Sequence, residues 1–282
     1  MSTPVFDQRT TGYTLAHAYA MALAAQLAYK EPDVIERRAA EWGFKRVRHH
    51  RTRFEPPFPL EDTQAYTMAG DHMIVTAFRG TETDKLQDWL SDASTPPWPG
   101  PAGTGFIHYG FGQALDSVFP DVRDTLAELR DNDQTLWLTG HSLGGALAML
   151  AASRLHFEDP HLTADGIYTF GQPRTCDRLL AEAHDKAFAE RAYRFVNDND
   201  VVPHLPPEPA YHHTEVVRFI AADGGIHDKV VRLGGLAGQA KGFVTDKLKD
   251  LTDIKGLWDS AQDAFRDHKM ARYVAALEKH RQ

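Results

Sequence analysis

Cysteine is nearly absent: Cys176 is the only one among 282 residues. One thiol cannot close an intrachain disulfide, which excludes a small scaffold built on disulfide bridges. A basic excess is missing too, since 31 Lys and Arg stand against 39 Asp and Glu, a formal net charge of −8. Nucleic-acid binders concentrate basic charge, so no nucleic-acid partner is expected. No apolar run reaches the roughly 18 residues of a membrane span, so stable membrane insertion is not expected either. The best candidate for a leader, Ala16 to Ala28, is interrupted by His17, Tyr19 and Gln26, and only Arg9 precedes it as a basic residue. A signal peptide wants a basic start and an unbroken apolar centre. Leu15, Tyr19, Leu23 and Leu27 recur instead at helical spacing, which predicts an amphipathic helix retained in the mature protein. A cytoplasmic protein is the expectation, with secretion left open.

What is present is the profile of an ordinary globular chain, 42% hydrophobic and 25% charged. Thr63 to Met68 and His72 to Phe78 read as strands around a turn at Ala69-Gly70-Asp71. Thr81 to Ser94 has helical spacing and runs into a Pro-rich loop at 96–101, and Phe111 to Arg130 reads as a helix broken near Pro120. Short strands follow at Thr135–Thr139, Gly166–Phe170, Ala192–Val196 and Glu215–Ala221, with helices at Leu143–Phe157 and Arg178–Phe188. This alternation predicts an α/β fold with a mainly parallel central sheet, an antiparallel N-terminal hairpin and helices on both faces. Residues 224–282 read as an irregular helical tail, with a charged helical stretch from Val244 to Phe265. No linker composition sets it apart, so residues 1–282 are expected to form one domain.

Gly140-His141-Ser142-Leu143-Gly144 is a G-x-S-x-G pentapeptide, placed directly after the strand at 135–139 and opening the helix at Leu143. That context holds a serine on a tight strand-to-helix turn with its Oγ aimed off the sheet. Glycines on either side keep Cβ atoms out of the crowded turn, and the helix N-terminus adds unpaired N–H groups. Three fixed positions also occur by chance, so the flanking strand and helix carry the catalytic reading.

A serine hydroxyl needs a base, and the base needs an orienting third group. In sheets of this type the chain order is Ser, then an acid, then His. The strand Ala192–Val196 is followed by Asn197-Asp198-Asn199-Asp200, and both aspartates fit. Asp200 is preferred because Val201-Val202-Pro203 would fix its loop, although capping a turn is the commoner job for such a residue. Six histidines follow: His204, His212, His213, His227, His268 and His280. His268 precedes a helical run and is well placed, but pattern alone leaves the base open.

A longer series of motifs narrows the choice. Phe78-Arg79-Gly80-Thr81, Asp88-Trp89-Leu90-Ser91-Asp92 and His108-Tyr109-Gly110-Phe111 precede the pentapeptide. Thr169-Phe170-Gly171-Gln172-Pro173-Arg174, Asn199-Asp200-Val201-Val202-Pro203, His213-Thr214-Glu215 and Asp267-His268 follow it. This succession, over roughly residues 15–275, closely resembles the class 3 lipases, the fungal-type triacylglycerol lipase family. The resemblance implies an α/β-hydrolase fold with Ser142 as nucleophile, Asp200 as acid and His268 as base. It places the oxyanion hole on Thr81 and Leu143, and leaves His213, Arg79 and Arg174 structural.

The expected reaction is ester hydrolysis through an acyl-enzyme, most simply on acylglycerol lipids, with no metal or cofactor. His49-His50 and His212-His213 are adjacent pairs without the i, i+4 spacing of a helical zinc site. The resemblance also implies a lid at about 82–97 making transient contact with a lipid interface, its inner face carrying Leu86, Trp89 and Leu90. Core packing explains those three residues as well. Trp98 and Phe106 are candidates for an acyl pocket or an interfacial rim. A soluble carboxylesterase, a feruloyl-type esterase and a phospholipase A1 are alternatives on the same scaffold. A non-catalytic interaction protein is a further alternative from another class.

Overall fold

The computed structural model describes residues 5–52, 64–81, 96–131, 133–198, 200–206, 208–214, 216–221, 223–230 and 267–280. Two helices come first, α1 (Leu15–Leu27) and α2 (Pro32–Glu41). Strands β1 (Arg46–Arg51), β2 (Gln64–Ala69) and β3 (Met73–Phe78) follow, then a two-residue ribbon of β4 (Trp98–Pro99) and β5 (Phe106–Ile107). Next come α3 (Tyr109–Asp116), α4 (Phe119–Leu129), β6 (Thr135–His141), α5 (Leu143–Glu158) and β7 (Gly166–Phe170). The chain continues through α6 (Arg178–Phe188), β8 (Ala192–Asn197), β9 (Val216–Ile220), β10 (Ile226–Val230) and α7 (Met270–Glu278).

Eight strands form one sheet in the order β1-β2-β3-β6-β7-β8-β9-β10. The β1–β2, β2–β3 and β9–β10 pairs are antiparallel, and the four pairs from β3 to β9 are parallel. Alternation along each strand sends side chains to two cores. On β6, Leu136 and Leu138 join one core with α3–α6, while Trp137 joins the other with α1, α2 and α7. The parallel centre is thus covered on both sides, as its near-continuous apolar strands require.

The hairpin, the mainly parallel sheet and the helices on both faces are as the sequence predicts. Four points refine or correct the sequence reading. First, α1 is not a half-exposed amphipathic helix: nine of its thirteen residues are buried, because α7 closes over the side the sheet leaves free. Tyr19 donates to Glu278 of α7 at 3.3 Å, and His17 packs edge-on against Trp137, with ring centroids 4.3 Å apart. Second, α2 was not anticipated; it starts with Pro32 at its first turn, where a missing N–H costs nothing. Third, the break expected near Pro120 is present at 117–118, and Pro120 lies in the first turn of α4. Fourth, the run after Gly224-Gly225 is an edge strand, β10. The lid stretch 82–95 and the Val244–Phe265 stretch lie outside the described residues. Among the described residues no helix is long and apolar enough to cross a membrane.

Several histidines are buried in this fold as neutral rings. Desolvation lowers His17 and His50 to about 4 and His184 to about 3. A ring depressed in the folded state and ordinary in the unfolded chain leaves its stability intact above about pH 6.5 and loses it as pH falls toward the folded value. Each ring contributes on the order of 3 kcal/mol to that loss by pH 4. Urea midpoints should therefore fall steeply between pH 6.5 and 4.5, and a flat profile over that window would contradict the buried neutral state.

Candidate active site

Strand β6 runs two residues further than the apolar pattern predicts, to His141, and delivers Ser142 directly at its end. Ser142 has φ 59 and ψ −128, a left-handed conformation that L side chains rarely adopt. Such a backbone costs on the order of 1–3 kcal/mol and persists only where its surroundings enforce it. The Ser142 N–H donates to Phe170 O at 2.9 Å, tying the turn to β7. The neighbouring glycines are required by contact. A Cβ on Gly140 would meet Gly144 O at 2.1 Å, and one on Gly144 would meet Phe78 O at 2.1 Å. Gly80 also abuts the turn, with its Cβ position 3.2 Å from Ser142 Cβ, so Thr81 follows from a point against the nucleophile. Leu143, buried, opens α5.

Asp200 lies in the loop after β8 and is 1% exposed. Its Oδ1 accepts the Val202 N–H at 2.9 Å, and its Oδ2 accepts the Tyr273 hydroxyl at 2.5 Å. His268 Nδ1 donates to the same carboxylate, at 2.8 Å to Oδ2 and 3.0 Å to Oδ1. A carboxylate only accepts here, so the proton sits on Nδ1 and leaves the Nε2 lone pair open. His268 Nε2 and Ser142 Oγ are both buried, and neither has a hydrogen-bond partner among the described residues. A buried polar atom without a partner is costly, and here two of them belong to the residues a serine hydrolase would use.

The segment bearing His268 is held at three points. Asn197 Nδ2 donates to Asp267 O at 3.1 Å, and the Asn197 N–H donates to the Tyr273 hydroxyl at 3.1 Å. His141 Nε2 donates to His268 O at 2.6 Å. The acid loop is held by two mostly buried arginines. Arg174 donates to the carbonyls of His204 and Pro206, and Arg194 donates to Thr214 O at 3.1 Å. Desolvation, with Arg174 nearby, pulls Arg194 down to about 9. His213 contacts Pro203 O and is held neutral by burial, which fits a structural role.

The structure thus brings Ser142, Leu143, Thr81, Asp200 and His268 to one end of the parallel strands. Asp198 makes no contact with His268: its N–H donates to Asn197 Oδ1 at 3.2 Å, and the residue is exposed. Of the other candidate bases, His212 and His280 donate to, or contact, the carbonyls of Pro209 and Gly224. Tyr273, Asn197 and the Tyr29–His141 pair were not singled out from sequence. His141 stood inside the motif and Tyr273 five residues past His268, but neither pattern states a contact. Trp98 packs over Gly112 and lines a cavity of about 190 Å³ with Leu115, Leu150 and Arg154, well along α5 from Ser142.

Residues 75–210 match the family model described as lipase (class 3). The lipase of Rhizomucor miehei is 34% identical over 159 residues, which span 52% of this chain and 42% of that protein. The solved triacylglyceride lipase of Rhizomucor miehei superposes with a TM-score of 0.63 at 24% identity, covering 80% of this chain and 88% of that one. Lipase II from Rhizopus niveus gives 0.58 at 26% identity, over 74% of this chain and 82% of that chain. This chain spans less than half the length of the curated relatives it matches. The likeness in structure makes the fold an α/β-hydrolase fold, as the motif series implied.

The turn itself is testable without any substrate. Ser142→Gly removes both the left-handed strain and a buried hydroxyl without a partner, against a smaller entropic cost. It should raise unfolding free energy by about 1 kcal/mol or more. Gly144→Ala should lower it by about 1–3 kcal/mol through the clash with Phe78 O. Urea unfolding of both variants checks this, and a less stable Ser142→Gly would refute the stored strain.

Proposed function

We propose, from the match of residues 75–210 to the class 3 lipase family model, that the chain is a serine hydrolase of carboxylic esters that cleaves acylglycerol-type lipids. The observation that carries the reading is the buried Asp200–His268 hydrogen bond at 2.8 Å, which leaves His268 Nε2 open at the same end of the sheet as a strained, buried Ser142. His268 Nε2 takes the Ser142 proton as Oγ adds to the ester carbonyl. Asp200 holds the Nδ1–H tautomer and stabilises the imidazolium that forms. His268 then returns the proton to the leaving alcohol, and an acyl-serine remains. Water, deprotonated by the same nitrogen, adds to the acyl group and releases the carboxylic acid and free Ser142. The backbone N–H groups of Thr81 and Leu143 are the proposed oxyanion donors, each worth on the order of 3 kcal/mol at the transition state. The Thr81 hydroxyl is proposed as a third donor.

Acylglycerol is the substrate class by likeness, because a triacylglyceride lipase is among the proteins this chain superposes on. The whole of residues 1–282 acting as one hydrolase domain and a lid at about 82–97 belong to the same proposal. A reducing compartment such as the cytoplasm is also part of it, supported by a fold whose single, buried cysteine needs no disulfide.

The test is hydrolysis of p-nitrophenyl esters from acetate to palmitate. Activity peaking at eight carbons or longer supports the lipid substrate, and a peak at two to four carbons moves the assignment to a plain esterase. Ser142→Ala should lose about four powers of ten or more in kcat, and Asp200→Asn about four. A wild type as inert as Ser142→Ala across the series would overturn the hydrolase reading in favour of a non-catalytic protein.

A further inference from the structure

Two elements of the site come from distant parts of the chain. Ser142 sits on the end of β6, while His268 lies 127 residues past His141, on the segment that leads into α7. Among the described residues, the imidazole of His268 is hydrogen-bonded to one side chain, Asp200. Its usefulness therefore depends on where its main chain is fixed, since a swing of that backbone turns Nε2 away from Ser142.

His141 touches that backbone directly, donating from Nε2 to the His268 carbonyl at 2.6 Å. A carbonyl can only accept, so the proton of His141 must sit on Nε2. Its Nδ1 is then an acceptor, and the Tyr29 hydroxyl donates to it at 2.8 Å. One ring is thus polarised at both ends by fixed partners, and the tautomer is locked. The rings of His141 and His268 are in contact, centroids 4.6 Å apart and tilted by 32°. The Tyr273 ring stands edge-on to His141, centroids 6.1 Å apart, and Arg79 lies over the Tyr29 ring at 5.9 Å. A neutral ring tolerates an imidazolium stacked upon it, whereas a charged one would repel it. Burial, reinforced by the adjacent His268, keeps His141 well below the usual imidazole range.

We propose that His141 is a positioning residue: a neutral imidazole, protonated on Nε2 and locked by Tyr29, that pins the main chain of His268 to the strand end carrying Ser142. Its catalytic consequence rests on the ester-hydrolase reading given above; its structural content does not. The x position before the serine is then more than a spacer. It needs a side chain that donates at its tip and accepts on its flank while presenting a flat uncharged face.

The experiment compares wild type with His141→Phe, His141→Gln and Tyr29→Phe. Kinetics use p-nitrophenyl esters, normalised to the fraction of enzyme titrated by an aryl phosphonate. His141→Phe keeps the flat face but removes both hydrogen bonds, and should lower kcat about 10- to 100-fold with KM within about twofold. His141→Gln, whose amide can donate at the tip, should recover most of that loss, and Tyr29→Phe should lose less than His141→Phe. Nuclear magnetic resonance on 15N-histidine protein provides a readout independent of turnover. At neutral pH, His141 should show an Nε2–H tautomer. The strongly deshielded Nδ1–H of His268 should be present in wild type and His141→Gln, and lost in His141→Phe.

An Nδ1–H tautomer at His141 would overturn the proposal. So would a His141→Phe variant with wild-type kcat and an undisturbed His268 resonance. If wild type cleaves no ester while the resonances behave as stated, the hydrolase reading fails and the positioning role stands. If wild type cleaves esters and His141→Phe equals it in both readouts, the positioning role fails and the hydrolase reading stands.

Discussion

The hydrogen bond between Asp200 and His268 is the constraint on which the rest of the site depends. A carboxylate 1% exposed is tolerable only when its oxygens are paired, because an ionised group without partners in a protein interior costs several kcal/mol or more. Asp200 finds three donors: the Val202 N–H, the Tyr273 hydroxyl and His268 Nδ1. Two of them come from the last described segment, so satisfying one buried charge draws α7 onto the sheet. That docking in turn closes over α1 and explains why a helix in the N-terminal part of the chain is buried almost all round. The Asp200–His268 pair and the packing of α1 and α7 are thus one problem with one solution.

The second constraint works in the opposite direction. Ser142 is held in a backbone conformation it would not choose, and its hydroxyl is buried without a partner. The close approach of Gly140, Gly144 and Gly80 is what makes that turn geometrically available, and the hydrogen bond to Phe170 O holds it. Stability is forgone at one residue while the surrounding sheet supplies it, the usual arrangement where a reactive group must be presented rather than packed.

Much of this was legible in the sequence, for definite reasons. The parallel core strands are near-continuous apolar runs, so strand Gly166–Phe170 is found with its observed bounds, and so is the amphipathic helix Arg178–Phe188. The pentapeptide at 140–144 states its own geometry, since contacts as close as 2.1 Å admit only glycine. Long-range pairing was less legible. Asp198 and Asp200 are two residues apart in one polar loop, and only the fold shows that Asp200 reaches His268. Six histidines competed for the base because an imidazole in a loop and one in a cluster have the same one-letter signal. In the sequence, the resemblance to class 3 lipases is what points to Asp200 and His268; composition and periodicity leave both choices open. What escaped altogether were the supports: Tyr29, His141, Asn197 and Tyr273 each act through a contact between distant segments, which no local pattern encodes. The misreading of α1 has the same cause, because its second buried face exists only after α7 has docked.

The central claim is that Asp200 and His268 act on Ser142 as a unit rather than as separate contributors. The direct measurement is the rate at which an aryl phosphonate modifies Ser142 in wild type, Asp200→Asn, His268→Ala and the double variant. If the acid works only through the base, the double variant should react within about threefold of His268→Ala alone. Losses that multiply, with the double variant slower by the product of the two single effects, would contradict the account.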